Sequence, residues 1–274
     1  MTAPVGRIER LGQAARGVAA RIWPWRSVPR PDQLKQGGTG EVIRVIDGDT
    51  VELSDSTMVR LVGIQAPKLP LGRPGFKAWP HGEEALAALE QVCLGKRVGM
   101  RFGGRRVDFN GRRLAHLFVE SDGEPLWLQQ WMIAEGHARV YSFDDNRSCV
   151  RRLLADEAEA RNGNRGLWAL ENYKLLNARA PREIAGKRGE YHIVEGTVTG
   201  TKTARRRVFI DFGTDWRHDF TAVLASSALR RFDWERFAPR SLVGERVRIR
   251  GWIGLKKGPY IDVTHPEQIE RVTD

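Results

Sequence analysis

Hydrophobic positions along the chain change period several times, and each change marks a new element. Near the start the spacing is helical: Ile8, Leu11, Ala15, Val18 and Ile22 recur on one face, while Arg7, Arg10, Arg16 and Arg21 occupy the rest of the wheel. This predicts a basic amphipathic segment over residues 1–26, closed by Trp23 and Trp25. Residues 27–40, rich in proline, glycine and polar side chains, read as a linker with no core of its own. Two β-rich runs then flank Asp47-Gly48, a dipeptide favoured in hairpin turns because both central residues can take positive φ. Asp49 and Thr50 start the returning strand. Val59 to Ile64 is apolar except for Arg60, and Ala66-Pro67 stops it. An arginine inside such a run requires a partner or a ligand.

After a Pro-, Gly- and Lys-rich loop over residues 67–80, Leu86, Leu89 and Cys93 predict a helix ended by Gly95. Residues 98–102 and 114–119 read as strands, joined by the most basic turn of this half, with Arg105, Arg106, Asp108, Arg112 and Arg113. Helices over 126–135 and 149–162 place their apolar positions against the strands, and Trp168 closes that core. Residues 170–189 turn polar and basic and read as a second linker. Within 190–274 five strands and a helical stretch over 226–237 match the strand count and helix position of an OB-fold. Alternation across residues 246–250 puts Arg246, Arg248 and Arg250 on one sheet face and Val247 and Ile249 on the other. With Arg205, Arg206, Arg207, Phe209, Trp216 and Tyr260, that basic strip is the mixture of cations and aromatics that holds single strands; a solvated outer face is the alternative.

Charge narrows the classes. Lys plus Arg number 45 against 34 Asp plus Glu, a net charge of +11, which points to a polyanion: nucleic acid first, anionic lipid second. Two cysteines give no disulfide framework. No apolar run reaches transmembrane length, and the N-terminus lacks an uninterrupted secretory core, which favours a cytoplasmic or peripherally membrane-associated protein and leaves the compartment open. Residues 7–25 are suited to a membrane surface, a protein partner or targeting, and a frayed, partly disordered tail is the alternative.

Four motifs, in order and at their spacing, resemble the staphylococcal nuclease (thermonuclease) family: Ile-Asp-Gly-Asp-Thr-Val at 46–51, Val-Arg-Leu-Val-Gly-Ile-Gln-Ala-Pro at 59–67, Asn-Gly-Arg-Arg-Leu-Ala at 110–115 and Gly-Leu-Trp at 166–168. The resemblance covers residues 41–169. It implies an α+β fold, an OB-type five-stranded β-barrel with helices, here followed by a second, smaller OB-like barrel over 190–274. It also implies a Ca²⁺ ion held by carboxylates, two arginines on the scissile phosphate and a glutamate as general base. Asp49 matches the first metal aspartate, Asp47 the other acidic position of the turn and Thr50 the following threonine. Arg60 and Arg112 match the phosphate arginines, a task suited to guanidinium forks.

Three matched positions differ from that pattern. Gln65 stands at the second metal carboxylate, Ala66 at a threonine that offers its carbonyl, and Lys68 at the general base. A lysine cation about 6 Å from calcium is repelled by roughly 5 kcal/mol at an effective dielectric near 20. Glu83 and Glu84 offer replacement carboxylates, though acids there also complement a helix N-terminus. Otherwise Lys68 joins Arg60 and Arg112 in an anion-seeking pocket, with Arg105, Arg106 and Arg113 as further nucleic-acid contacts. Two functions therefore stay open: a phosphodiesterase with a weakened calcium site, or a catalytically inactive nucleic-acid-binding or assembly scaffold.

Overall fold

In the computed structural model, which describes residues 31–232 and 238–272, the first unit runs β1 (Lys35–Asp47), β2 (Thr50–Leu53), β3 (Met58–Leu61), β4 (Gly63–Gln65), α1 (Gly82–Cys93), β5 (Arg97–Phe102), β6 (Arg113–Val119), β7 (Leu126–Trp127), α2 (Leu128–Ala134), β8 (Arg139–Tyr141) and α3 (Val150–Asn162). Strand β1 is long enough to serve two partners: Lys35 to Glu41 pair with β5, and Val42 to Asp47 pair with β2. The order β3-β2-β1-β5-β6, closed by a parallel β3–β6 pairing, makes a five-stranded barrel. Its interior is filled by Val42, Val51, Leu53, Val59, Leu61, Val98 and Leu117, each almost wholly buried, as full strand closure requires.

Residues 35–40 are therefore strand rather than linker, and Leu34 is already buried. Their polar side chains face outward, which is why composition alone reads them as unstructured. The apolar run 59–64 is also not one strand. It breaks at Val62, where Gly63 takes φ +87°, and β4 leaves the barrel to pair with β8. The expected basic helix with Trp23 and Trp25 lies outside the described residues.

The second unit is joined by β9 (Leu176–Asn177) and α4 (Pro181–Gly186) and contains β10 (Tyr191–Thr197), β11 (Gly200–Ala204), β12 (Arg207–Asp211), β13 (Thr221–Leu224), α5 (Ser226–Leu229), β14 (Arg246–Lys256), β15 (Gly258–Val263) and β16 (Ile269–Arg271). Its order, β11-β12-β13-β15-β14-β10-β9, curls back on itself because β10 and β11 are successive segments of one bent path. The stretch over 170–189 is ordered structure, not a linker: Tyr173, Ala178 and Ile184 are buried, and β9 pairs with β10. The helix expected over 226–237 is short, with α5 ending at Leu229, and residues 233–237 lie outside the description. No helix among the described residues is long and apolar enough to cross a membrane.

The alternation on β14 is as expected, but its basic face is not a free surface. Val247 and Ile249 are buried in the second core. On the other side Arg246 and Arg248 both engage Glu195 of β10, and Arg250 is completely buried against Glu157 of α3 and Glu270 of β16. Arg250 Nη2 lies 2.6 Å from Glu157 Oε2, Arg250 Nη1 donates to the Val140 carbonyl, and Glu157 Oε1 accepts from the Val140 amide at 2.7 Å. Burial alone would raise the Glu157 pKa, yet Arg250 and Arg161 leave it below its ordinary value. Only the Arg250 end of the expected basic strip is thus an interface between the two barrels, while Arg246 and Arg248 pair within the second one, and Arg250 cannot reach a nucleic acid.

Because a lone buried charge costs more than a pair, Arg250→Ala should destabilise the protein by about 3–5 kcal/mol in denaturant unfolding. A loss below about 1 kcal/mol would show that the interface does not depend on this pair. His265 links the barrels too, its Nε2 2.7 Å from Ser142 Oγ. Burial and then nearby arginines depress it from 6.5 to about 3, so the unfolded chain takes a proton first and stability should fall as pH drops from about 6.5 towards 3. His265→Gln should flatten part of that slope in pH-dependent melting.

Candidate functional site

The β1–β2 turn builds the site. Asp47 pairs with Thr50, so the turn residues are Gly48 and Asp49, and neither takes positive φ. Glycine is needed at 48 for another reason. A Cβ there would lie 2.6 Å from Ala66 Cβ and 2.8 Å from Ala85 Cβ, so the strand end after β4 and the first turn of α1 press directly on this backbone. That close approach holds Ala66 N 2.9 Å from Asp49 Oδ2 and brings the Lys68 loop across the turn.

Asp49 is completely buried and surrounded by donors. Lys68 Nζ lies 2.8 Å from each of its carboxylate oxygens, Arg60 Nη2 lies 3.1 Å from Oδ2, and the Thr50 hydroxyl donates to Oδ1 at 3.2 Å. Burial would raise its pKa, but the Arg60 and Lys68 charges hold it far below the ordinary carboxylate range. Asp47 accepts from the Asp49 amide at 3.1 Å and from Lys68 Nζ at 3.2 Å. Its carboxyl is raised, by burial first and by the Asp49 charge beside it. One ammonium thus bridges two carboxylates.

The two arginines are committed as well. Arg60 donates to the carbonyls of Asp49, Leu61 and Ile64 besides its ion pair, which satisfies the partner requirement read from the sequence. Arg112 forms a fork on Asp108, with Nε and Nη2 both 2.7 Å from Oδ2. It stands two residues before Leu114, the β6 residue paired with Arg60. Lys68 and Arg60 balance Asp47 and Asp49, so this cluster is electroneutral rather than anion-seeking as expected.

Gln65 points elsewhere. Its Oε1 accepts from Arg139 Nε at 3.1 Å and Nη2 at 2.8 Å, while Arg139 Nη1 donates to the Tyr191 carbonyl of the second barrel at 2.7 Å. The buried Arg139 guanidinium is caged by Tyr191, Tyr173 and Trp79 at 4.7, 5.7 and 5.9 Å from their ring centres. Sequence reasoning missed this residue; its signal was a charged side chain inside the short Ala-Arg-Val-Tyr run. Likewise His81 Nε2 and His137 Nδ1, 56 positions apart, meet at 3.0 Å. Arg105 lies near Asp145, Arg106 stacks over Phe102, and Arg113 is exposed.

The family model described as staphylococcal nuclease homologue matches residues 58–170. An Escherichia coli protein named "Uncharacterized endonuclease" is 34% identical over 133 residues, which span 47% of this chain and 76% of that protein. The chain belongs to the staphylococcal nuclease homologue family. A "Thermonuclease" of Staphylococcus hyicus is 25% identical over 134 residues, 48% of this chain and 76% of that one. "Protein ParB" of Escherichia coli is 31% identical over 138 residues, 47% of this chain and 72% of that one. In this nuclease homologue the matched segment ends at the connection, and the second barrel lies outside it.

The contact between the turn and α1 gives a direct test. Gly48→Ala should overpack the Ala66–Ala85 contact and cost about 1–3 kcal/mol in thermal or denaturant unfolding. Unchanged stability would show that the turn has slack the geometry does not reveal.

Proposed function

We propose that this nuclease homologue binds nucleic acid on its barrel scaffold and does not carry out calcium-dependent cleavage. The observation that carries the reading is the Lys68 ammonium seated between Asp47 and Asp49. A calcium ion needs six to eight oxygen ligands at about 2.3–2.6 Å. Here each carboxylate or amide oxygen source at the matched positions is held by a cation: Asp47 and Asp49 by Lys68, Asp49 also by Arg60, and Gln65 by Arg139. An ion on Asp49 would approach Lys68 Nζ to about 4 Å, a repulsion of roughly 8 kcal/mol at an effective dielectric near 20. The donor set therefore does not fit calcium. Family membership and the net charge of +11 support nucleic acid as the partner.

The test uses the full chain with labelled single-stranded DNA and RNA, with and without calcium. Salt-sensitive binding with no calcium-dependent product is the expected result; calcium-dependent cleavage abolished by Asp49→Ala would overturn the reading. Lys68→Ala should lower the melting temperature, because two carboxylates lose their shared counter-ion, and added calcium should restore it. Gln65→Asp by itself should confer no calcium response, since an aspartate there faces Arg139. If calcium fails to stabilise Lys68→Ala, the ammonium is not what keeps the ion out.

A further inference from the structure

The second barrel offers a binding face that is not the β14 strip. Its strongest sign is backbone strain. Arg205 and Arg206 form the two-residue turn between β11 and β12 with φ +47° and +61°. Turns that need positive φ at both central residues favour Asn-Gly, since a Cβ is penalised there. Lys257, at the tip of the β14–β15 hairpin, also takes positive φ, at +69°. Three cations thus occupy tip positions where glycine or asparagine would fit with less strain. Residues held in such strain cluster at ligand-binding sites.

The second tip is built as a unit with an aromatic ring. A Cβ on Gly258 would lie 2.5 Å from the Asp219 carbonyl, so the hairpin end is pressed onto the 213–219 loop. That loop carries Trp216, 53% exposed, with Arg217 Cζ and Lys257 Nζ each 4.7 Å from the ring centre. Between the two tips runs β12, five residues or about 17 Å, with half-buried Phe209 on its outer side beside Lys202. Asp211 is turned to the Thr221 hydroxyl, Asp215 to His218, and Asp262 lies near Arg207. Among the described residues, Arg205, Arg206, Arg217, Lys256 and Lys257 have no carboxylate within ion-pair distance.

We propose that the outer face of β12, from the Arg205-Arg206 tip to the Trp216–Lys257 tip, binds single-stranded nucleic acid. Phosphates meet the strained cations, and bases stack on Trp216 and Phe209. The occupant follows from charge and shape: unpaired cations for a polyanion, and the exposed Trp216 ring with half-buried Phe209 for unpaired bases, which a duplex keeps stacked inside. The proposal rests on the nucleic-acid reading above and locates the binding.

The test measures fluorescence anisotropy of a labelled single strand of about 12 nucleotides with the full chain across a salt series. Arg205→Asn combined with Arg206→Gly should raise the melting temperature by relieving the turn, lower affinity about tenfold and reduce the salt slope by about 1.4. Trp216→Ala should weaken binding about tenfold and leave the slope unchanged. If the parent binds tightly and all variants match it, this face is not the site and the nucleic-acid reading stands without it. If the parent binds no strand, both fail. Preference for duplex, or for phosphatidylserine vesicles over single strands, overturns the occupant named here.

Discussion

The relation between the two barrels depends on the buried ion pair of Glu157 and Arg250. Both side chains are wholly withdrawn from water, so removing either leaves the other short of a counter-charge that Glu270 or Arg161 only partly supplies, and their pairing brings α3 against β14. That contact also sets the Val140 backbone, which bonds to both residues, and with it β8. Since β8 carries Arg139 and pairs with β4, the position of Gln65 follows from an interaction made on the far side of the strand.

At the β1–β2 turn the same logic runs on a smaller scale. Two carboxylates sharing a buried site repel each other unless positive charge stands between them. In this chain the positive charge is covalently attached, on a loop that the Gly48 contact draws over the turn. The pocket is neutral, and the net charge of +11 must therefore be expressed elsewhere on the surface. The unpaired cations at the second barrel's hairpin tips are one such place.

Local features were legible from residues alone. A hairpin near 47–50, though centred one residue later than expected and without positive φ, the need of Arg60 for a partner, the burial of Trp168 and the inward set of Val247 and Ile249 all follow from short-range pattern. What sequence could not supply was the identity of distant partners. Alternation gives the same signal whether the polar face meets water or another domain, and Glu157 stands 93 positions from Arg250. Arg139 lies 74 positions from Gln65, in a three-residue strand too short to register as an element. The Lys68 contact was half visible: its charge and proximity were expected, but as a cation facing phosphate rather than one spent on its own aspartates.

The cage around Arg139 is shared between the two units. Its walls come from the loop before α1, from the connection and from the first strand of the second barrel. Kinship marks out residues 58–170, yet that stretch supplies only part of the enclosure. Exchanging the C-terminal unit for another module would strip this guanidinium of the Tyr191 carbonyl and two of its three rings, so its enclosure is complete only with both units in place.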